Sequence, residues 1–524
     1  MSSATSAASA LLSAPSAKAP AIDPSVPRLA LAHINQSAPF RIRHPDFERQ
    51  YSHTYAHRLH AMKQRCSRAA KAAWPDLALV TRTIDLKINT EAAFVGTLFK
   101  EMKLKPCILD KFQESTIMAG AKPQLTSYVS DDDHLIVEDP TGRVVIKIGD
   151  TDKIDLTRLV SGLVVGLRGT VQDTGEFLVT DMCFTEPAKA GPQYASSTPS
   201  SSSAAPSGPL SGNILFVSGL EVGTNENMLS MQLLADYVAG HMGSPEEQTS
   251  KVARIARVIV AGNTIDMEPG LEAAEEARIA QELAASTSKN SKSSKSSSSS
   301  SSSTEEAQER AAQPIRNADY LMAQIARAVS VDIMPGDRDP SNVAMPQQRL
   351  HPCIFPRSSG FRDTFNLVTN PYKCTLGDKK DASSVCITGH AGQPVADIAR
   401  FSSLTDPLDA LERTLVWQHL APTAPDTLAC YPFKNNDPFV IQGRCPDVLF
   451  TGNAEAFATR NVTLENGHTV RLIAVPRFST TGTVAVLDLE TKEVTSLRIQ
   501  IDSALTGVEE DGSAPMDVDS SEAP

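Results

Sequence analysis

The stretch Met334-Pro335-Gly336-Asp337-Arg338-Asp339-Pro340 closes an apolar run over residues 328–333. That run reads as a short buried strand, and the Pro-Gly after it turns the chain into a charged loop. Loops fed by strand ends are where α/β folds place their sites. Asp337 and Asp339 offer carboxylate oxygens, but Arg338 lies between them. A guanidinium stays protonated and has no lone pair to give a metal ion.

The same pattern extends outward from this loop. Residues 214–217, 258–261, 365–369 and 448–451 are short apolar runs, most of them followed directly by Gly or Asn. With polar or helical connections between them, they predict an α/β domain across residues 211–504. Runs at 470–475, 484–487 and 496–501 predict antiparallel strands that close it. The serine tract at 296–303 is then an insertion within this domain, since strands of one sheet are expected on both sides. Disorder is expected across 272–313.

Residues 39–187 read differently. Tyr51, Tyr55, Leu59 and Met62 recur at three- and four-residue spacing, so residues 46–74 predict a helix. Residues 135–138 turn through Asp139-Pro140-Thr141-Gly142 into 144–148, a hairpin pattern. A strand over 159–171 returns along 177–179 after Asp173-Thr174-Gly175. Gly162, Gly166 and Gly169 suit a sharply coiled strand, where a side chain would crowd the bend. Short strands joined in this way predict a small closed β-barrel of the OB type, with an open β-sandwich as the alternative.

The 524-residue chain is large enough for two or more cored domains. Its net charge of -12 argues against a dominant nucleic-acid-gripping surface. The eight cysteines form no Cys-x-x-Cys pair. They therefore predict reduced, mostly buried thiols and no zinc module. No signal-peptide pattern or membrane-length apolar run is present, so a soluble intracellular protein without a membrane partner is expected. Residues 1–38 are expected to be disordered, 188–210 to be a linker, and 505–524 to be a disordered acidic tail.

The loops of the second domain follow, in order, the pattern of the calcineurin-like metallophosphoesterases, to which this part of the chain is similar. Such enzymes hold two metal ions roughly 3.5–4 Å apart with carboxylates and imidazoles and activate a bridging water. The resemblance puts Gly219 and Glu221 on the first Asp-x-His, and Asn263 on the bridging carboxylate, with Asp266 nearby. It puts Asp337 and Arg338 on the Asn-His pair, Ala391 on a lone His, and Asn453 and Glu455 on the last two imidazoles. Glu221, Asp337 and Glu455 are hard-cation donors in kind. The cation at 338 and the neutral amide at 263 nevertheless argue against a working metal pair. No metal or other cofactor is expected, and no catalytic residue. His390, one residue before Ala391, is expected to hydrogen-bond locally. His351 reads as a structural corner and His419 as a packing and hydrogen-bonding residue beneath the former site.

Longer runs carry a narrower resemblance. Val331-Asp332-Ile333-Met334-Pro335-Gly336, Leu350-His351-Pro352-Cys353-Ile354-Phe355-Pro356 and Val368-Thr369-Asn370-Pro371-Tyr372 resemble the small (second, or B) subunits of DNA polymerase delta. So do Ala421-Pro422-Thr423-Ala424-Pro425-Asp426-Thr427-Leu428 and Tyr431-Pro432-Phe433. The resemblance implies an α+β/β multidomain fold, an OB-type barrel packed on an inactivated calcineurin-like metallophosphoesterase α/β domain. It also implies a non-catalytic scaffold in the nucleus serving DNA replication and repair. Its implied partners are the C-terminal metal-binding module of the catalytic subunit, a third subunit and, through that subunit, the sliding clamp. DNA itself would be touched weakly at most. The competing readings are an active metal-dependent 3′–5′ exonuclease or phosphodiesterase and an OB-fold single-strand DNA binder. Asp131-Asp132-Asp133 beside the barrel argues against the binder.

Overall fold

The computed structural model describes residues 28–43, 45–106, 125–149, 154–190, 210–223, 228–266, 299–377 and 384–499. Three six-stranded sheets organise them. No helix among the described residues is long and apolar enough to cross a membrane.

The first sheet closes on itself. It contains β2 (Leu79–Val80), β3 (Glu91–Glu101), β4 (His134–Asp139), β5 (Gly142–Ile148), β6 (Val164–Val171) and β7 (Phe177–Cys183). Their order is β2-β3-β4-β5-β7-β6, and a further β3–β6 pairing closes the ring. The closed barrel, not the open sandwich, is the fold. Phe94 and Phe177 meet edge to face in its core, with ring centroids 5.0 Å apart. The long strand expected from residue 159 begins only at Val164, because Gly162 sits in a turn at φ 87. There a Cβ would overlap the Pro422 carbonyl and Arg58. Gly169 lies at a register shift in the β6–β7 pairing, and a Cβ on it would overlap the Leu178 carbonyl. Helix α1 (Ser52–Ala73) covers the barrel with Leu59, Met62, Cys66 and Ala70, starting later than residue 46.

The second part is a four-layer sandwich. One sheet runs β11 (Phe365–Leu367), β10 (Ser330–Met334), β9 (Ile255–Ala261), β8 (Asn213–Val217), β17 (Thr483–Asp488), β18 (Val494–Arg498). The other runs β1 (His33–Asn35), β12 (Tyr372–Leu376), β13 (Val385–His390), β14 (Val448–Ala454), β16 (Thr469–Pro476), β15 (Ala458–Thr463). Their inner faces meet through residues such as Ile259, Ile387 and the Phe216–Phe450 pair. Strands apolar on both faces, such as the fully buried β9, are what a covered sheet requires. Helices α2 (Met228–Ala239) and α3 (Ser299–Ala328) cover the first of these sheets. Helices α4 (Gln393–Phe401) and α5 (Pro407–Val416) cover the second and share one apolar core with the barrel.

Four expectations change. The three closing runs do not form one antiparallel set: β16 joins β14 in parallel, whereas β17 returns to β8 and pairs with β18. Short apolar runs carry no information about which sheet they join. Residues 28–38, expected to be disordered, dock instead. Arg28 donates to the carbonyls of Val252 and Val238, and β1 pairs antiparallel with the open edge of β12. Pairing satisfies an edge that would otherwise expose backbone groups. Residues 188–190 also pack, with Lys189 bridging to Arg444. Disorder over 299–313 gives way to helix α3, whose run of Glu, Ala, Gln and Arg favours helix and propagates from a buried C-terminal half. Residues 1–27, 191–209, 272–298 and the acidic tail lie outside the described residues.

Candidate functional site

Strands β8, β9, β10, β13 and β14 all end at one side of the two inner sheets, and the loops after them converge. Close approach is possible because the loops are built from residues that leave room or accept left-handed backbone. A Cβ on Gly262 would overlap Ala391, and one on Gly336 would overlap Asn263. A Cβ on Gly219 would lie 2.8 Å from Asn453 Oδ1. Asn263 and Asn453 adopt φ 54 and φ 57, a conformation Asn tolerates. Glu221, at φ 50, has no such preference. Its backbone N–H donates to the Asn263 carbonyl at 2.9 Å, and Ser479 Oγ donates to its carboxylate at 2.7 Å. The surrounding contacts impose the strain.

Arg338 reaches into this cluster. Nη1 lies 3.1 Å from Asp266 Oδ2 and 3.7 Å from Glu221 Oε1, while the Arg338 backbone N–H donates to Asn263 Oδ1 at 3.2 Å. Both carboxylates are buried and the arginine is half-buried. A protein cation therefore supplies positive charge to these acids. The Asn453 side-chain amide donates to the Ala391 carbonyl at 2.7 Å, and its backbone N–H donates to Ser218 Oγ at 2.9 Å.

Gly219, Glu221, Asn263, Asp266, Arg338, Ala391 and Asn453 thus meet. Asp337 and Glu455 do not join them: both are exposed. Among the described residues, no three His, Cys, Asp or Glu side chains are grouped to hold a metal ion. His390 is buried, and its Nδ1 accepts from the Gly392 N–H at 3.2 Å. His351 Nδ1 accepts from the Cys353 N–H and starts a short turn. His419 lies apart from the cluster: it bonds Asp437 at 2.9 Å under helix α1.

Ser479 and Gln347 escape a reading by motif, and Asp339, read in its loop as a carboxylate donor, takes a structural role instead. Asp339, fully buried, accepts from the N–H groups of Ile265 and Gly336, tying two of the loops together. Ser479 holds Glu221 from 258 positions away. Gln347 donates to the Gly336 carbonyl and accepts from Asn370 and Gln393, an amide network beneath the loops. Asn370 sits in the Val-Thr-Asn-Pro-Tyr run, the one signal that pointed toward this network.

Buried titrating groups give the fold a definite pH response. Burial lowers His390 to about 3, and burial together with Arg58 lowers His419 to about 4. The unfolded histidines protonate first, so both favour unfolding as pH falls below about 6.5. Asp339 acts oppositely: burial raises it to about 6 against its backbone donors, so its contribution is lost as pH rises from about 4 to 6. Two histidines outweigh one carboxyl. Urea-unfolding free energy is expected to decline from pH 6.5 to about 4.5, with a shallower slope in His390→Asn. A wild-type profile that is flat or rises on acidification contradicts this.

Comparison with known proteins gives the lineage. A family model described as the DNA polymerase delta subunit OB-fold domain matches residues 50–182, the helix and closed barrel. A second family model, for the B-type subunit of DNA polymerases alpha and epsilon, matches residues 214–459. The chain is 35% identical to the DNA polymerase delta small subunit of Oryza sativa subsp. japonica, covering 86% of this chain and 92% of that one. It is 36% identical to the Arabidopsis thaliana small subunit, covering 86% and 90%. To DNA polymerase delta subunit 2 of Drosophila melanogaster it is 33% identical, covering 91% and 99%. By these matches over most of its length, the chain belongs to the DNA polymerase delta small-subunit family, accessory subunits of a replicative DNA polymerase.

Proposed function

We propose that this chain is a non-catalytic scaffold of nuclear DNA polymerase delta, built on a calcineurin-like phosphoesterase frame whose metal chemistry has been lost. The observation that carries this reading is the Arg338 guanidinium beside Glu221 and Asp266. A two-metal site needs donors converging on two cations, with a water held between them. Here Asn263 accepts from the Arg338 N–H, Ala391 brings no imidazole, and Glu455 and Asp337 face solvent. These residues do not fit a metal pair.

In place of chemistry the chain offers a rigid surface made by the barrel and the sandwich together. Its partners in this reading are the C-terminal metal-binding module of the catalytic subunit and a third subunit linked to the sliding clamp, in replication and repair. Full-length protein co-expressed with a polymerase delta catalytic subunit is expected to co-purify as a stable complex, and to lose it when the C-terminal module is deleted. Absence of a complex at micromolar concentrations overturns the scaffold reading. Manganese-dependent release of nucleotides from a 3′-labelled oligonucleotide, abolished by Glu221→Gln, would instead establish the exonuclease.

A further inference from the structure

Away from the loop cluster, a cavity of about 290 Å³ opens where residues 36–40, β12–β13 and the 436–446 segment meet. Lys373 and Thr388 line it from adjacent strands, directly paired across β12 and β13. Thr388 is buried, and among the described residues its hydroxyl meets only the neighbouring Cys386 thiol, so it closes the cavity floor without presenting a polar group to it. Phe40, Leu420 and Ile441 supply apolar wall, and the exposed amides of Asn436 and Gln442 stand at the rim.

The cavity is held in shape before anything enters. Phe40 stacks on Phe439 at 6.4 Å. Leu420 and Ile441 are held by backbone bonds to Phe439 and Gln418. Asp437, the acid at the wall, is turned to Arg58 and His419, at 2.7 and 2.9 Å, and is not available to a ligand cation. The charge left to the cavity is therefore the half-buried Lys373 ammonium, whose protein contact is the Arg444 carbonyl at 3.3 Å.

From this set we infer that the cavity is a docking pocket for a partner protein's segment that carries one large apolar side chain next to an Asp or Glu. The apolar side chain fills the walls, the carboxylate meets Lys373, and the rim amides bond the peptide backbone. Preformed, mostly apolar cavities with a few convergent polar groups bind with little ordering cost. The inference stands on the cavity alone and is independent of the lost metal site.

The probe is a fluorescein-labelled Ser-Glu-Phe-Glu-Ser peptide, acetylated and amidated, compared with its Glu-to-Gln counterpart by anisotropy on the full chain. Saturable binding is expected, weakened by about fivefold in the Gln peptide and in Lys373→Gln, the range of one partly exposed ion pair. The exposed rim variant Gln442→Glu, which brings a like charge without touching the core, should weaken binding of the acidic peptide more than of the neutral one. Equal affinity for both peptides, wild-type binding by both variants, or no saturation at millimolar peptide each overturns the proposal.

Discussion

Arg58→Ala is expected to lower the unfolding free energy by about 3–5 kcal/mol, the range for removing one member of a buried ion pair. Arg58 is fully buried on α1, and its Nε bonds Asp437 Oδ2 at 2.7 Å. Its remaining nitrogens serve three backbone carbonyls: Gly162 in the barrel, and Pro422 and Ala424 in the Ala-Pro-Thr-Ala-Pro run. One side chain thus fastens helix, barrel and sandwich. Burial pushes the Asp437 carboxyl up, but Arg58 and His419 outweigh it and hold it well below the ordinary range. Alanine would leave that carboxylate with His419 and the Phe439 N–H, its guanidinium partner gone, and three carbonyls without these donors. Arg58→Lys keeps the charge but loses the planar fork and should recover only part of the loss. A urea-unfolding measurement showing less than about 1 kcal/mol, the range of an exposed pair, removes this account.

Asp332→Ala is expected to cost a similar amount, about 3–5 kcal/mol, because it strands the buried Arg257 guanidinium. Asp332 on β10 bonds Arg257 on β9 at 2.5 Å and Asn366 on β11 at 3.0 Å. Its other oxygen accepts from the Tyr372 hydroxyl at 2.7 Å, across the gap between the two sheets. Tyr372 in turn bonds His33 on β1, so the docked N-terminal strand is linked to the same carboxylate. Asp332→Asn, which keeps the shape and loses the charge, should fall between wild type and alanine. If alanine and asparagine are equally mild, the charge pairing between β9 and β10 does not contribute as described.

The loop after β10 shows how local sequence divides from tertiary outcome. Residues 328–333 read as a buried strand from their apolar run; β10 is that strand shifted to Ser330–Met334, since Ala328 still ends helix α3. Asp337 and Asp339, two residues apart, are alike in sequence yet opposite in place. One is exposed; the other is buried under backbone donors of two loops. Nothing within seven residues distinguishes them, because the N–H groups that receive Asp339 come largely from the β9 loop. The helix α3 serines differ from expectation for a related reason: composition favoured disorder, but the buried half of the helix extends order back along it.

Sequence by itself determined the apolar runs, the turns between them, the order of the loops and the long motifs that carry the family. These depend on neighbours a few residues away, where periodicity and turn chemistry act directly. Tertiary structure decided the rest. It placed β16 and β17 in different sheets, and it chose Glu221 over Glu455 for burial. It also brought Arg338 to Asp266 across 72 positions. An ionic partner is chosen by three-dimensional proximity and shared burial, and neither is written in the spacing of residues along the chain.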